Sequence, residues 1–241
     1  MDNKLDIFKS MIEKSNNIVF FGGAGVSTES GIKDFRSIDG LYNQKYDYPP
    51  ETILSHSFFI HYTEEFYKFY KDKLNCLDAE PNVTHKVLAK LEEEGKLKSV
   101  ITQNIDGLHQ KAGNKNVFEL HGSIHRNYCM KCHKFYGPEK VFNTDHPIPI
   151  CDECGGIVKP DVVLYEEGLD DKILEASIKS ISQADMLIVG GTSLMVYPAA
   201  GLIRFYNGNK LVLINKQETK FDNMANVVIH DSIGKAFSHI E

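Results

Sequence analysis

The sequence predicts an α/β protein organised around a doubly wound parallel sheet, and three observations carry that prediction. Short, wholly apolar runs recur along the chain, as at Ile18-Val19-Phe20-Phe21 and Met186-Leu187-Ile188-Val189. Strands buried on both faces read this way, whereas half-exposed strands alternate apolar with polar residues. Four of these runs stop in small, polar or glycine-rich turns, at 22–25, 103–107, 190–193 and 215–216. Segments of helical periodicity separate the runs, which is the rhythm of strand–turn–helix units.

Taken in order, residues 1–16 predict a helix with Leu5, Phe8, Met11 and Ile12 on one face. A strand at 18–21 follows and runs into Gly22-Gly23-Ala24-Gly25. Residues 26–55 lack clean periodicity and predict a long ordered loop with short helical pieces, the kind of loop that is usually functional. Helices are expected over 56–74 and 82–94, the second stopped by Gly95. Strands at 100–102 and 117–120 end at Gln103-Asn104-Ile105-Asp106-Gly107 and at His121-Gly122. Residues 123–158 have the texture of a small insert. Beyond it come a strand at 162–164, a helix over 170–182, a strand at 186–189, a helix over 198–206, strands at 210–214 and 227–229, and a C-terminal helix.

Composition narrows the function. The 241 residues carry 27 Lys and Arg against 33 Asp and Glu, a net charge of −6. No general basic surface exists to grip a phosphate backbone, so direct nucleic-acid binding is a poor expectation. No apolar run is long enough to span a membrane, and the first residues lack the unbroken apolar stretch of a secretory signal. A cytoplasmic location and a monomer are the expectations. The cysteines fit a reducing compartment: Cys76 stands alone, while Cys129, Cys132, Cys151 and Cys154 form C-x2-C-x18-C-x2-C. That spacing predicts a structural zinc site, because four thiolates complete a tetrahedron and leave no position open for water. A redox dithiol and iron in the same cage are the alternatives. His125, His133 and His146 lie nearby and are read as surface residues.

Polar strand ends gathered on one sheet edge point to a nucleotide, because ligands of open parallel sheets bind outside the carboxyl ends of the strands. Glycine there lets backbone N–H groups approach a pyrophosphate. Gly23-Ala24-Gly25-Val26-Ser27-Thr28 does not complete G-x-G-x-x-G, since Thr28 fills the last position. His121, where an apolar strand stops, is placed to move a proton near neutral pH beside Asn104 and Asp106. No acid lies about twenty residues past the glycine turn at the end of a second strand, which argues against a dehydrogenase.

Together these pieces resemble the sirtuin family of NAD-dependent protein deacylases. The resemblance is carried by Gly23-Ala24-Gly25-Val26-Ser27, Ser30-Gly31-Ile32-Lys33-Asp34-Phe35-Arg36, Thr102-Gln103-Asn104-Ile105-Asp106-Gly107-Leu108-His109 and Leu120-His121-Gly122. The two cysteine pairs, Lys159-Pro160-Asp161-Val162-Val163, Gly191-Thr192-Ser193-Leu194 and Tyr197-Pro198-Ala199-Ala200 follow in the family's order. The match covers residues 18 to about 231, and its compactness looks like the bacterial branch.

The resemblance implies a Rossmann-like domain from 1–35, 96–122 and 159–241, and a smaller domain made of a helical insertion at 36–95 and a zinc ribbon at 123–158. It implies NAD and an acetyl-lysine side chain entering the cleft between them. Ala24, Thr28, Phe35 and Arg36 would line the first half of the NAD site, with Phe35 shielding the ribose. Gln103, Asn104, Ile105 and Asp106 would surround the ribose and nicotinamide, while Thr192, Ser193, Asn215 and Asp231 would hold the phosphate and adenosine end. The acetyl oxygen would displace nicotinamide, and His121, with Asn104, would then activate a ribose hydroxyl toward the former acetyl carbon. The products would be free lysine, nicotinamide and O-acetyl-ADP-ribose. Val163 and Val196-Tyr197-Pro198 would bracket the peptide by strand addition.

Departures from the family pattern are Lys33 in place of the common Pro, Tyr165-Glu166-Glu167 in place of the frequent Phe-Gly-Glu, and Gly22-Gly23 where Thr-Gly is often found. Relatives that remove succinyl or malonyl groups carry a Tyr and an Arg three positions apart, and here Tyr67 and Tyr70 fill those places. With no guanidinium to clamp a carboxylate, neutral acyl groups are expected, acetyl first.

Overall fold

The computed structural model describes residues 2–35, 40 and 46–240. Six parallel strands form the main sheet in the order β3-β2-β1-β7-β8-β9: β1 (Ile18–Gly22), β2 (Leu97–Thr102), β3 (Val117–Glu119), β7 (Met186–Gly190), β8 (Leu211–Ile214) and β9 (Val227–Ile229). An antiparallel sheet of β4 (Gly122–Cys129), β5 (Phe135–Tyr136) and β6 (Val158–Val162) is ordered β5-β4-β6. The α-helices are α1 (Asp2–Glu13), α2 (Pro50–Ile53), α3 (His56–His61), α4 (Thr63–Lys73), α5 (Val83–Glu93), α6 (Leu108–Ala112), α7 (Glu139–Phe142), α8 (Asp171–Gln183) and α9 (Ile233–Ser238).

Alternation along the central strands creates two cores. Ile18 and Phe20 of β1 pack with α1, α5 and α9 through Phe8, Leu88 and Phe237, whereas Val19 and Phe21 face the opposite layer with Ile181, Leu202 and Ile203. These side chains are almost wholly withdrawn from water, and each Phe or Ile contributes about 1.5–3 kcal/mol by leaving it. A third, aromatic core joins α2, α3 and α4 to Ile124, Val162 and Leu164 of the smaller part, with Phe35 and Ile105 packed against it.

The sheet extends from β1 to β2 and β3 on one side and from β7 to β8 and β9 on the other, so the winding reverses between β1 and β7. At that crevice the two glycine turns touch. Gly22 pairs with Gly190, and the Gly25 N–H donates to the Gly191 carbonyl at 2.7 Å. Gly191 has φ +60°, and a Cβ there would lie 2.4 Å from the Val26 nitrogen, so neither the conformation nor the contact tolerates a side chain.

Several elements depart from the sequence reading. The helix expected over 56–74 breaks at Tyr62, whose φ of −132° is not helical, so α3 and α4 are separate. The segment at 198–206 is a 3-10 helix, Ala199–Phe205. The strand expected at 162–164 is β6, and it pairs antiparallel with β4 in the smaller sheet, not with the parallel one. β4 lies largely inside the stretch read as an insert; its pairing to β6 is nonlocal, and local pattern does not register it.

Replacing Gly191 with Ala should destabilise the fold by about 2 kcal/mol or more, read from the midpoint of urea unfolding. An unchanged midpoint would show that the two turns are not in close contact.

Candidate active site and metal centre

The end of β2 is the hub of the cleft. Thr102 Oγ1 accepts the Asn104 N–H at 3.0 Å and sets the direction of the turn. The Asn104 side chain then donates through Nδ2 to Ser27 Oγ at 3.0 Å, and Ser27 in turn donates to Asp106 Oδ2 at 2.6 Å. Gln103 Nε2 donates to Thr192 Oγ1 at 3.0 Å, tying the β2 turn to the β7 turn. Asn104, Asp106, Ser27 and Thr192 are all buried, so these bonds are made away from competing water.

Asp106 is held from three sides. Its Oδ1 accepts the Leu108 N–H at 2.9 Å, and its carbonyl accepts from His125 Nε2 at 2.9 Å. Gly107 has φ +71°, and a Cβ there would lie 2.7 Å from the His125 ring, so this glycine serves both the turn and the imidazole.

His121 follows β3, and its Nδ1 lies 2.9 Å from the Gln103 carbonyl. A carbonyl only accepts, so Nδ1 carries the proton and the neutral ring keeps its lone pair on Nε2. Burial pushes the His121 pKa below its ordinary value, and the Gln103 bond offsets this in part. At neutral pH the side chain is therefore a free base. The His121 carbonyl accepts the Val163 N–H at 3.0 Å, which fixes β6's exit beside it.

Behind this layer two imidazoles lie in contact. The rings of His85 and His109 are 4.7 Å apart and both are buried. Desolvation drives His85 down to about 4, against the pull of Asp106, and holds His109 well below its usual value, with His85 adding to the effect.

The four paired cysteines converge: their Sγ atoms all lie within 4.8 Å of one another, with Cys129–Cys154 at 3.4 Å and Cys132–Cys151 at 3.6 Å. A tetrahedron with metal–sulfur bonds of about 2.3 Å has edges of about 3.8 Å, so the cage fits a zinc ion. The Tyr136 hydroxyl, 3.0 Å from Cys151 Sγ, helps bring that thiol down to about 6, toward the thiolate a metal needs. Around the cysteines, among the described residues, Cys129, Cys151 and Val158 are buried with Tyr136 and Cys154 packed against them, while Ile124 and Val141 of the same module join the aromatic core. A metal would supply the cohesion at the cysteine end.

The structure thus brings Gln103, Asn104, Asp106, His121 and Thr192 into one connected constellation. Ala24 and Thr28 sit on the turn after β1, where Thr28 Oγ1 bonds the Gly25 carbonyl at 3.0 Å. Phe35 and Ile105 both pack on the aromatic core. Ser193, Asn215 and Asp231 follow β7, β8 and β9 on the same sheet edge, without hydrogen bonds to that constellation among the described residues; Asn215 bonds the Gln217 carbonyl and Asp231 pairs with Lys235. Val196, Tyr197 and Pro198 form the loop after β7, with Tyr197 exposed. Arg36 lies outside the described residues. His125, His133 and His146 are exposed, as the sequence reading has them. Sequence reasoning gave no part in the site to Ser27, nor to His125, whose Nε2 bonds the distant Asp106 carbonyl.

A parallel sheet whose winding reversal gathers a hydrogen-bonded set of polar side chains, joined to a four-cysteine module, has the architecture of the Rossmann-like nucleotide-binding class. The family model described as "Sir2 family" matches residues 23–198. A Clostridium acetobutylicum protein named NAD-dependent protein deacetylase is 62% identical over 240 residues, covering 99% of this chain and 98% of that one. One of the same name from Clostridium perfringens is 60% identical, covering 100% and 99%. Among solved structures, a Sir2 with a p53 peptide and NAD+ aligns with a TM-score of 0.88 and 40% identity, covering 98% of this chain and 96% of that one. A Sir2 with a deacetylated p53 peptide and O-acetyl ADP ribose gives 0.91 and 39% over the same shares. The chain belongs to the Sir2 family.

Two outcomes are expected. Because His85 is neutral in the folded protein down to about 4 but titrates near 6.5 when unfolded, protons favour the unfolded state between those values, and the melting temperature should fall as pH drops through that window. A flat profile there would show the ring is not desolvated. Metal analysis should find one zinc per chain, and a strong chelator should lower the melting temperature; an unchanged melt after complete zinc removal would contradict a structural metal.

Proposed function

We propose that this chain is an NAD-dependent protein-lysine deacetylase, moving the acetyl group of acetyl-lysine to ADP-ribose with release of nicotinamide and O-acetyl-ADP-ribose. The observation that carries the reading is His121, neutral and with Nε2 free, at the edge of a cleft whose donors and acceptors are amides, hydroxyls and one buried carboxylate. That donor set suits the hydroxyls and carboxamide of a dinucleotide. When bound, NAD supplies a good leaving group and a ribose hydroxyl able to receive the acetyl group.

The chain's own residues divide the remaining work. His121 takes the proton of the ribose hydroxyl at Nε2, and Asn104, held by Ser27, orients the same region. Asp106 accepts from the carboxamide, beside Gln103 and Ile105. Ala24, Thr28 and Phe35 line the adjoining wall, with Phe35 excluding water, and Arg36 is assigned to the same half of the NAD site. Thr192, Ser193, Asn215 and Asp231 hold the phosphate and adenosine end. A peptide adds as a strand between Val163 and Val196-Tyr197-Pro198. Cys129, Cys132, Cys151 and Cys154 would hold a zinc ion, which would serve the small module structurally, since four thiolates would leave no position open for water. The division into 1–35, 96–122 and 159–241, with 36–95 and 123–158 as the smaller domain, belongs to the same reading.

No helix among the described residues is long and apolar enough to cross a membrane. The partners in this reading are acetylated proteins, met by a cytoplasmic monomer with no direct nucleic-acid contact; the charge of −6 supports attraction to basic peptides. Tyr67 and Tyr70 are buried in the aromatic core that Phe35 and Ile105 pack against, and the Tyr67 hydroxyl is committed to the Val158 carbonyl at 2.5 Å. Neither position offers a guanidinium to clamp a carboxylate, which supports a preference for neutral acyl groups.

Mass spectrometry of an acetylated peptide should show deacetylation only with NAD, together with an acetylated ADP-ribose. His121→Ala should lower turnover roughly 100-fold or more. Deacetylation that continues after NAD is removed would end the reading. A succinylated form of the same peptide should react on the order of 100-fold more slowly than the acetylated one, and equal rates would contradict the acyl preference.

A further inference from the structure

The turn and the two short 3-10 helices after β1, residues 24–30, form the part of the chain assigned above to the cofactor. Most of this loop's own hydrogen bonds are local, from Val26, Ser27, Ser30 and Gly31 back to residues three before them. Its attachment to the rest of the molecule rests on a few long-range bonds. One of these comes from a residue with no place in the site described so far. Asn82 Nδ2 donates to the Val26 carbonyl at 2.8 Å and to Ser30 Oγ at 3.0 Å, so a single amide grips both 3-10 helices.

Asn82 is also the N-cap of α5. Its Oδ1 accepts the Thr84 N–H at 3.0 Å, which leaves the NH2 group pointing outward to the loop. Its own N–H donates to His85 Nδ1 at 3.3 Å, a capping box in which imidazole stands where Glu or Gln is usual. That bond requires the His85 lone pair on Nδ1, so the ring must stay neutral. Burial against His109, itself against Phe20, keeps it so. The path runs from the core through two histidines to a helix cap and on to the cofactor loop.

We propose that Asn82 is a positioning residue for the dinucleotide: it fixes the 24–30 loop against α5, and His85 fixes Asn82. This rests on the NAD-dependent reading above. Its consequence is specific to one substrate. Losing the amide donors should loosen the loop that meets NAD and leave the acetyl-lysine side of the cleft untouched.

Asn82→Asp separates this role from capping. The carboxylate still accepts the Thr84 N–H and suits a helix N-terminus, but it has no N–H to give the loop. The variant should melt within a few degrees of the parent, with about a tenfold rise in both the KM for NAD and its calorimetric Kd. The KM for acetyl-peptide, and kcat at saturating NAD, should stay within about twofold. Asn82→Ala, losing cap and donors together, should also melt lower. His85→Phe, which cannot accept the Asn82 N–H, should raise the KM for NAD in the same direction. A parental KM and Kd for NAD in Asn82→Asp would overturn the proposal, as would equal rises in both KM values alongside a lowered melt. A parent protein that deacetylates without NAD would instead overturn the functional reading, and this assignment with it.

Discussion

The hydroxyl of Ser27 is the point on which the site depends. It donates to Asp106 and accepts from Asn104, residues 79 and 77 positions further along the chain, and so locks the turn after β1 to the turn after β2. A hydroxyl can do both at once because it carries one proton and two lone pairs. Both partners are buried, so the bonds are strong and their loss would leave unpaired groups in a dry environment. The two loops are presented to one another only because β1 and β2 are parallel neighbours ending at the same level, with Gly22 opposite Thr102.

From that lock the rest follows outward. Gln103, adjacent to Asn104, reaches Thr192 with its side chain and His121 with its carbonyl. One residue thereby sets the tautomer of the proposed base and the spacing between the β2 and β7 turns. His125 and Val163 connect the same edge to the antiparallel sheet, so the geometry of the cleft is shared between the two sheets. Arg126 reinforces the junction by bridging Glu119 of β3 at 2.6 Å and Asp161 of β6 at 2.7 Å. The cysteine cage has little apolar core around it, so a metal held by the four thiolates would tie down the far end of the small sheet.

Much of this is legible in the sequence, for physical reasons that differ by element. Strands β1 and β7 read clearly because both faces are buried, and a short unbroken apolar run closed by glycine suits a central parallel strand. The cysteine cage reads from spacing because metal ligation restricts the chemistry to few residue types. The polar strand ends read as a group because an open parallel sheet puts all of them on one edge. β4 does not read locally, since it is defined by pairing with β6 some thirty residues on. His125 is exposed as the sequence reading has it, but the bonds made by Ser27, His125 and Asn82 are not legible: each reaches residues distant in sequence, and serine, histidine and asparagine occur on any surface. The break at Tyr62 is a backbone event inside continuous helical periodicity, invisible to pattern alone.

In the proposed function, one edge of the sheet seats NAD with the free nitrogen of His121 turned to its ribose. A crystal structure of the chain with NAD and an acetyl-lysine peptide tests it directly. His121 Nε2 should then lie within hydrogen-bond distance of a hydroxyl on the nicotinamide ribose, with the Gln103 carbonyl still on Nδ1 and the carboxamide on Asp106. A dinucleotide bound away from the β2 turn, or an imidazole whose Nε2 faces the protein instead of the sugar, would contradict it.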